Sequence, residues 1–219
     1  MENTTPILCL NNIRASRAAT RVLSGFNLSL QPQEIVWVLG PNGVGKTTLL
    51  RVAAGLLMPE SGKVLWNGKS LNAARNEREF SVHYIGHNNG IKLSLSVEEN
   101  LYLAQATLGI KNTCTVAQAL LEVGLTHKHN VVCRELSAGQ QRRVALARLF
   151  FLPAKVWILD EPFTAMDEQG LQLLASLFMY QLNSGGSILA STHRLFAEKD
   201  IFTSHAQRFI TLQQSVPYQ

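Results

Sequence analysis

Gly40-Pro41-Asn42-Gly43-Val44-Gly45-Lys46-Thr47-Thr48 reads as a phosphate-binding loop, and its two flanks decide the fold. The strand-like run Glu34-Ile35-Val36-Trp37-Val38-Leu39 stands directly before it, and the amphipathic run Leu49-Leu50-Arg51-Val52-Ala53-Ala54 follows. The spacing is Gly, four residues, Gly, Lys, then Ser or Thr. Each part has a physical task. Glycines at 40, 43 and 45 let the backbone bend so that its N–H groups converge on phosphate oxygens. A helix beginning near Lys46 adds its positive N-terminal end. The Lys46 ammonium reaches the β and γ phosphates of a nucleotide, and the Thr47 hydroxyl can ligate Mg²⁺. Kinases, GTPases, helicases and transport ATPases all use such a loop, so it specifies a nucleoside triphosphate and little more.

A second motif narrows the class. Leu136-Ser137-Ala138-Gly139-Gln140-Gln141-Arg142-Arg143 leads into the helical run Val144-Ala145-Leu146-Ala147-Arg148-Leu149. Ser137 is a natural N-cap, and Gln140 falls three residues later, at capping-box spacing. Standing alone, the segment is a well-capped amphipathic helix. It does not stand alone. Val156-Trp157-Ile158-Leu159 has the short, bulky, apolar character of a buried parallel strand and ends in Asp160-Glu161-Pro162. In a P-loop ATPase the first such carboxylate holds Mg²⁺, and the second can orient and deprotonate a water. A third strand-like run, Ser187-Ile188-Leu189-Ala190-Ser191-Thr192, ends in His193. A lone His after a strand is more often a satisfied surface residue, and its place after a third strand edge makes it a candidate γ-phosphate contact.

The order P-loop, LSAGQ, VWILDEP, TAMD, STH resembles the nucleotide-binding domain of an ABC transporter, over essentially the whole chain. The resemblance implies a P-loop NTPase (RecA-like) α/β core with an ABC antiparallel β subdomain and an inserted α-helical subdomain. It makes Gly40, Pro41, Asn42, Gly43, Val44, Gly45, Lys46, Thr47 and Thr48 the Walker A loop and Leu136–Gln140 the signature. Thr47 and Asp160 become the metal ligands, Glu161 the catalytic Glu, Thr164–Asp167 the D-loop, and His193 the switch His. It further implies that Ser137, Gly139 and Gln140 face ATP held by a second copy, in an ATP-dependent head-to-tail homodimer.

Three positions depart from the family pattern. Ala138 stands where Gly is common, so the loop must manage with ordinary dihedrals. Strand-like Ser81–Ile85 leads into Gly86-His87-Asn88, which puts His87 where relatives carry the Q-loop Gln; His87 and Asn88 are both candidates for that work. Arg17 occupies the place of an adenine-stacking aromatic. A guanidinium plane can stack on a base, and a solvated basic turn accounts for it equally well.

The same Gly-His, with Val64–Gly68, Gly90-Ile91-Lys92, VALARL and WILDEPFTA, resembles one subfamily, the cytochrome c maturation (haem exporter) ATP-binding proteins or CcmA. That likeness implies an ATP-hydrolysing subunit, peripheral on the cytoplasmic face of a bacterial inner membrane. Its partners would be integral membrane subunits like CcmB, CcmC and CcmD. Its work would be haem handling, through release of a haem-loaded chaperone. Near His87–Lys92 relatives receive the membrane partner's coupling helix. An unrelated ABC exporter is the alternative. A soluble ABC protein acting on ribosomes or DNA usually carries two cassettes or a long coiled coil, and this chain has neither.

Composition sets the outer bounds. The 219 residues suffice for one sizeable core, and no apolar run approaches the ~20 residues that a membrane span requires. The polar start Met1–Thr5 has no apolar run after it, so no secretory leader is expected. Cys9, Cys114 and Cys133 are scattered, which argues against disulfides or zinc, and no haem site is expected. A net charge of +5 without an aromatic-interleaved basic stripe argues against nucleic acid. We expect a single ABC ATPase domain over 1–219, with a core lobe of 1–89 and 154–219 and a helical subdomain of 90–153.

Overall fold

Strand, loop and helix follow one another around Gly40 in the computed structural model, which describes residues 5–17, 20–77, 79–108, 114–151, 154–193 and 205–213. The chain divides into two compact units: Met1–Tyr84, Lys155–Pro162 and Phe178–Gln219 form the first, Ile85–Ala154 and Phe163–Leu177 the second.

The first unit holds two sheets. Strands β1 (Leu8–Arg17), β2 (Thr20–Leu30), β4 (Ser61–Trp66) and β5 (Lys69–Ser70) make an antiparallel sheet in the order β2-β1-β4-β5. Strands β3 (Glu34–Leu39), β6 (Val82–Ile85), β7 (Val156–Leu159), β8 (Ser187–Thr192) and β9 (Ala206–Thr211) make the second, in the order β6-β7-β8-β3-β9. In it β7 with β8, β8 with β3, and β3 with β9 run parallel. β7 and β8 are buried at every position, as strands covered on both faces must be.

The pleat sorts the two faces. Val36, Val38, Val156, Ile158 and Leu189 pack with Leu49, Leu50 and Val52 of helix α1 (Lys46–Ala53) and with Leu8, Leu10 and Ile13 of β1. Their neighbours point the other way, where Trp37 stacks between Phe178 at 5.9 Å and Phe209 at 6.4 Å. Phe178 comes from helix α6 (Glu168–Asn183). A short helix, α2 (Leu71–Asn76), adds Leu71 and Ala74 to the first core.

The second unit is built on α3 (Val97–Leu108), α4 (Val116–Glu122) and α5 (Ala138–Ala147), all within the stretch 90–153 expected to be helical. Val97, Leu101, Ala119, Leu120, Val144 and Ala147 form its core. The end of the expected helical run 144–149 is a 3₁₀ turn, Arg148–Phe150, rather than a continuation of α5. Contacts group Phe163–Leu177 with this unit, although the sequence-based division placed those residues in the core lobe. Among the described residues, no helix is long and apolar enough to cross a membrane.

Candidate functional site

Strand order brings the first unit's polar residues together. β8 lies between β7 and β3, and all three run parallel, so their C-terminal ends share one sheet edge. Gly40 leaves β3 there, Asp160 leaves β7, and Ser191 and Thr192 finish β8. Brought to the open edge of a parallel sheet, these groups stand where α/β folds bind ligands.

The loop over that edge has the form the motif demands. Gly45 is the N-cap of α1, with φ +112° and no side-chain cap, so the first N–H groups of α1 are left for an anion. A Cβ at Gly45 would stand 3.0 Å from the Val22 Cβ, so a side chain there would meet both backbone strain and crowding. Val44 and Thr48 are buried, while Pro41, Asn42 and Gly43 are exposed.

Lys46 is 5% exposed, and its ammonium donates to the carbonyl oxygens of Gly40 at 2.7 Å and Pro41 at 3.2 Å. It also stands 3.5 Å from Glu161 Oε1. Thr47 Oγ1 donates to Asp160 Oδ2 at 2.6 Å. A hydroxyl and a carboxylate side by side form a hard-oxygen pair of the kind magnesium takes, so the residues fit that ion. His193 is half exposed, with Nδ1 3.5 Å from Glu161 Oε2.

Glu161 has φ +49°, a left-handed conformation that costs a residue with a Cβ on the order of 1 kcal/mol. Ser191 holds it there. The Ser191 hydroxyl donates to Asp160 Oδ1 at 2.6 Å and accepts the Glu161 N–H at 2.9 Å. One buried hydroxyl thus orients both members of the acidic pair. The sequence places Ser191 in a strand and assigns it no task. The signal was there: a hydroxyl in a run otherwise destined for the core needs partners.

The second unit carries another cluster. Ser137 caps α5, accepting the Gln140 N–H at 3.3 Å, while Gln140 Oε1 accepts the Ser137 N–H at 3.1 Å. The capping box read from the sequence is therefore formed. Ala138 opens the helix and has no left-handed dihedral, so the missing glycine costs nothing there. Gly139 is different. A Cβ on it would stand 2.7 Å from the Ala165 carbonyl oxygen, closer than any real contact, and backbone cannot yield cheaply.

Asp167 completes the arrangement. Arg143 Nη2 donates to Asp167 Oδ1 at 2.5 Å, and the Gly170 N–H donates to the same oxygen at 2.8 Å. The Arg143 guanidinium and then the Gly170 N–H hold the Asp167 carboxyl below the usual carboxylate range. Ser137, Gly139, Gln140, Arg143, Ala165 and Asp167, with His127, line a cavity of about 490 Å³. His87 belongs to neither cluster; it is exposed, with Asn88, in the second unit's loop after β6. Arg17 pairs with Thr20 at the exposed end of β1. Among the described residues no three or more His, Cys, Asp or Glu side chains cluster as a metal site of their own. The three cysteines are free thiols.

Comparison with known proteins agrees with this geometry. The family model described as ABC transporter matches residues 23–164. The cytochrome c biogenesis ATP-binding export protein CcmA of Sodalis glossinidius is 40% identical over 187 residues, which is 85% of this chain and 89% of that protein. Its namesake from Shewanella frigidimarina is 39% identical over 206 residues, 94% of each chain. Among solved structures, an ATP-binding subunit of an ABC transporter superposes with a TM-score of 0.81 at 25% identity, covering 95% of this chain and 86% of the other. Sheet order, phosphate loop and relatives all point one way: the chain belongs to the ABC transporter family, as a nucleotide-binding ATPase of its CcmA branch.

Proposed function

We propose that this chain is the ATP-hydrolysing subunit of a membrane complex for cytochrome c biogenesis. Identity across most of both chains with proteins bearing that name carries the reading. The partners are integral membrane subunits of the CcmB, CcmC and CcmD kind, and the chain sits peripherally on the cytoplasmic face of the inner membrane. Turnover drives haem handling through release of a haem-loaded chaperone.

The residues have distinct tasks in this reading. The backbone of 40–48 and the Lys46 ammonium take the triphosphate. Thr47 and Asp160 would hold Mg²⁺, which when bound neutralises charge on the phosphate oxygens. Glu161 takes a proton from the attacking water, and its left-handed backbone aims the carboxylate. His193, within 3.5 Å of that carboxylate, contacts the γ-phosphate side. Ser137, Gly139 and Gln140 receive the triphosphate held by a second copy, at the N-terminus of α5. His87 or Asn88 does the work of the Q-loop.

A complementation experiment tests the assignment. In a bacterium lacking its own CcmA, the chain produced with the matching membrane subunits should restore haem-stained c-type cytochromes, and the Glu161→Gln form should not. Absence of c-type cytochromes despite normal ATP turnover would assign the engine to another exporter.

Ser191→Ala tests the support beneath the acidic pair. It leaves the Asp160 carboxylate and the Glu161 N–H each short of a partner. Losing such a buried hydrogen bond costs about 1–3 kcal/mol. We expect kcat to fall roughly tenfold or more, with KM for ATP within about twofold. Ser191→Thr, which retains the hydroxyl, should recover much of the rate. Unchanged kcat in Ser191→Ala would show that the pair needs no such support.

A further inference from the structure

We propose that Arg142 and Arg148 are positioning residues that bind the loop at 86–90 to helix α5, so that the loop and the signature end of α5 move as one piece. The inference rests on the reading that Ser137 and Gly139 meet ATP held by a second copy.

Two guanidinium groups grip the loop at its two ends. Arg142, 3% exposed, donates through Nη1 to the Gly86 carbonyl oxygen at 2.8 Å and to Asn89 Oδ1 at 3.1 Å. Arg148 donates through Nη2 to the Asn89 carbonyl oxygen at 2.9 Å and through Nη1 to that of Gly90 at 3.2 Å. Its Nε turns back to the Ala145 carbonyl oxygen of α5 itself, at 3.2 Å. The residues between the grips are His87 and Asn88, both exposed. Past Lys92 the chain is fastened again, since Asn100 of α3 accepts the Lys92 N–H at 2.7 Å and donates to the Lys92 carbonyl oxygen at 2.9 Å.

The chemistry of Arg148 makes the arrangement informative. Burial lowers its pKa, and its partners among the described residues are neutral carbonyl oxygens. Arg148 is half-buried, and a charge given only dipoles there packs a helix end less cheaply than an apolar residue would. What the guanidinium supplies is a rigid fork that reaches several carbonyls at once, which a lysine ammonium cannot do. The fit is close. Gly90 has φ +63°, and a Cβ on it would stand 3.3 Å from Arg148 Nη1. Displacing His87 and Asn88 therefore means breaking these bonds or carrying α5 along.

Hydrogen exchange on the purified full chain, in the Glu161→Gln form that retains ATP, tests this. With ATP and Mg²⁺ the parent should exchange about threefold or more slowly at residues 137–141 and at 86–92 alike. Arg148→Lys, which keeps the charge and loses the fork, and Gly90→Ala, which crowds it, should keep the slowing at 137–141. The slowing at 86–92 should fall to less than about 1.5-fold. An arginine that only stabilises the fold would not separate the two responses. A parent-like response at 86–92 in either variant overturns the proposal, as does a parent that responds at 137–141 alone. No response at 137–141 in the parent sinks the reading of a second copy's ATP, and this inference with it.

Discussion

Glu161→Gln is expected to bind ATP as the parent does and to hydrolyse it at least about a hundredfold more slowly, the range a general base contributes. The geometry supports so large an effect from so small a change. Gln keeps the volume and the left-handed backbone, whose N–H still rests on Ser191 Oγ at 2.9 Å. Only basicity and charge are lost. Lys46 keeps the Gly40 and Pro41 carbonyl oxygens as partners, so the phosphate loop should be undisturbed. Phosphate release and calorimetric ATP binding measure the two halves of the prediction. A second consequence is visible by size exclusion: with ATP and Mg²⁺ the variant should accumulate as a dimer, because the nucleotide proposed to join two copies would no longer be destroyed. Parent-like turnover would remove Glu161 from its assigned role.

Lys46→Ala should fail one step earlier, at binding. Its ammonium is buried and is the principal side-chain charge in the loop. A hydrogen bond to a charged group contributes about 1.5–3 kcal/mol, and the β and γ phosphates together make two. The expected loss of ATP affinity is therefore at least about a hundredfold. The fold should survive, because Val44, Leu49 and Leu50 still seat the loop and helix on the core. Calorimetry reads the affinity directly. A melting experiment gives an independent check, since the rise in Tm that saturating ATP produces in the parent should shrink or vanish. Equal affinity in variant and parent would overturn the assignment.

Much of the machinery was legible as local pattern. The run 34–39 became β3 with the same bounds, because bulky and β-branched residues leave a strand that must be covered on both faces. Ser137 and Gln140 formed their capping box, since that motif needs only residues three apart. His87 shows where legibility ended. Counting placed it at the position of a Gln, and the structure shows it exposed between two anchored residues. No count along the chain could supply the anchors, which lie 53 to 59 residues away.

By itself the sequence determined the kind of ligand, the family and the candidate residues, because phosphate loops, caps and buried strands are set by neighbours along the chain. The tertiary structure alone decided how distant segments meet. It inserted β8 between β7 and β3, and so put Ser191 against Asp160 and Glu161. It laid the Ala165 carbonyl on Gly139 and turned Arg142 and Arg148 onto the loop at 86–90. The physical reason is that such meetings follow from burying whole faces of sheets and helices together, a sum over many residues that no short motif contains.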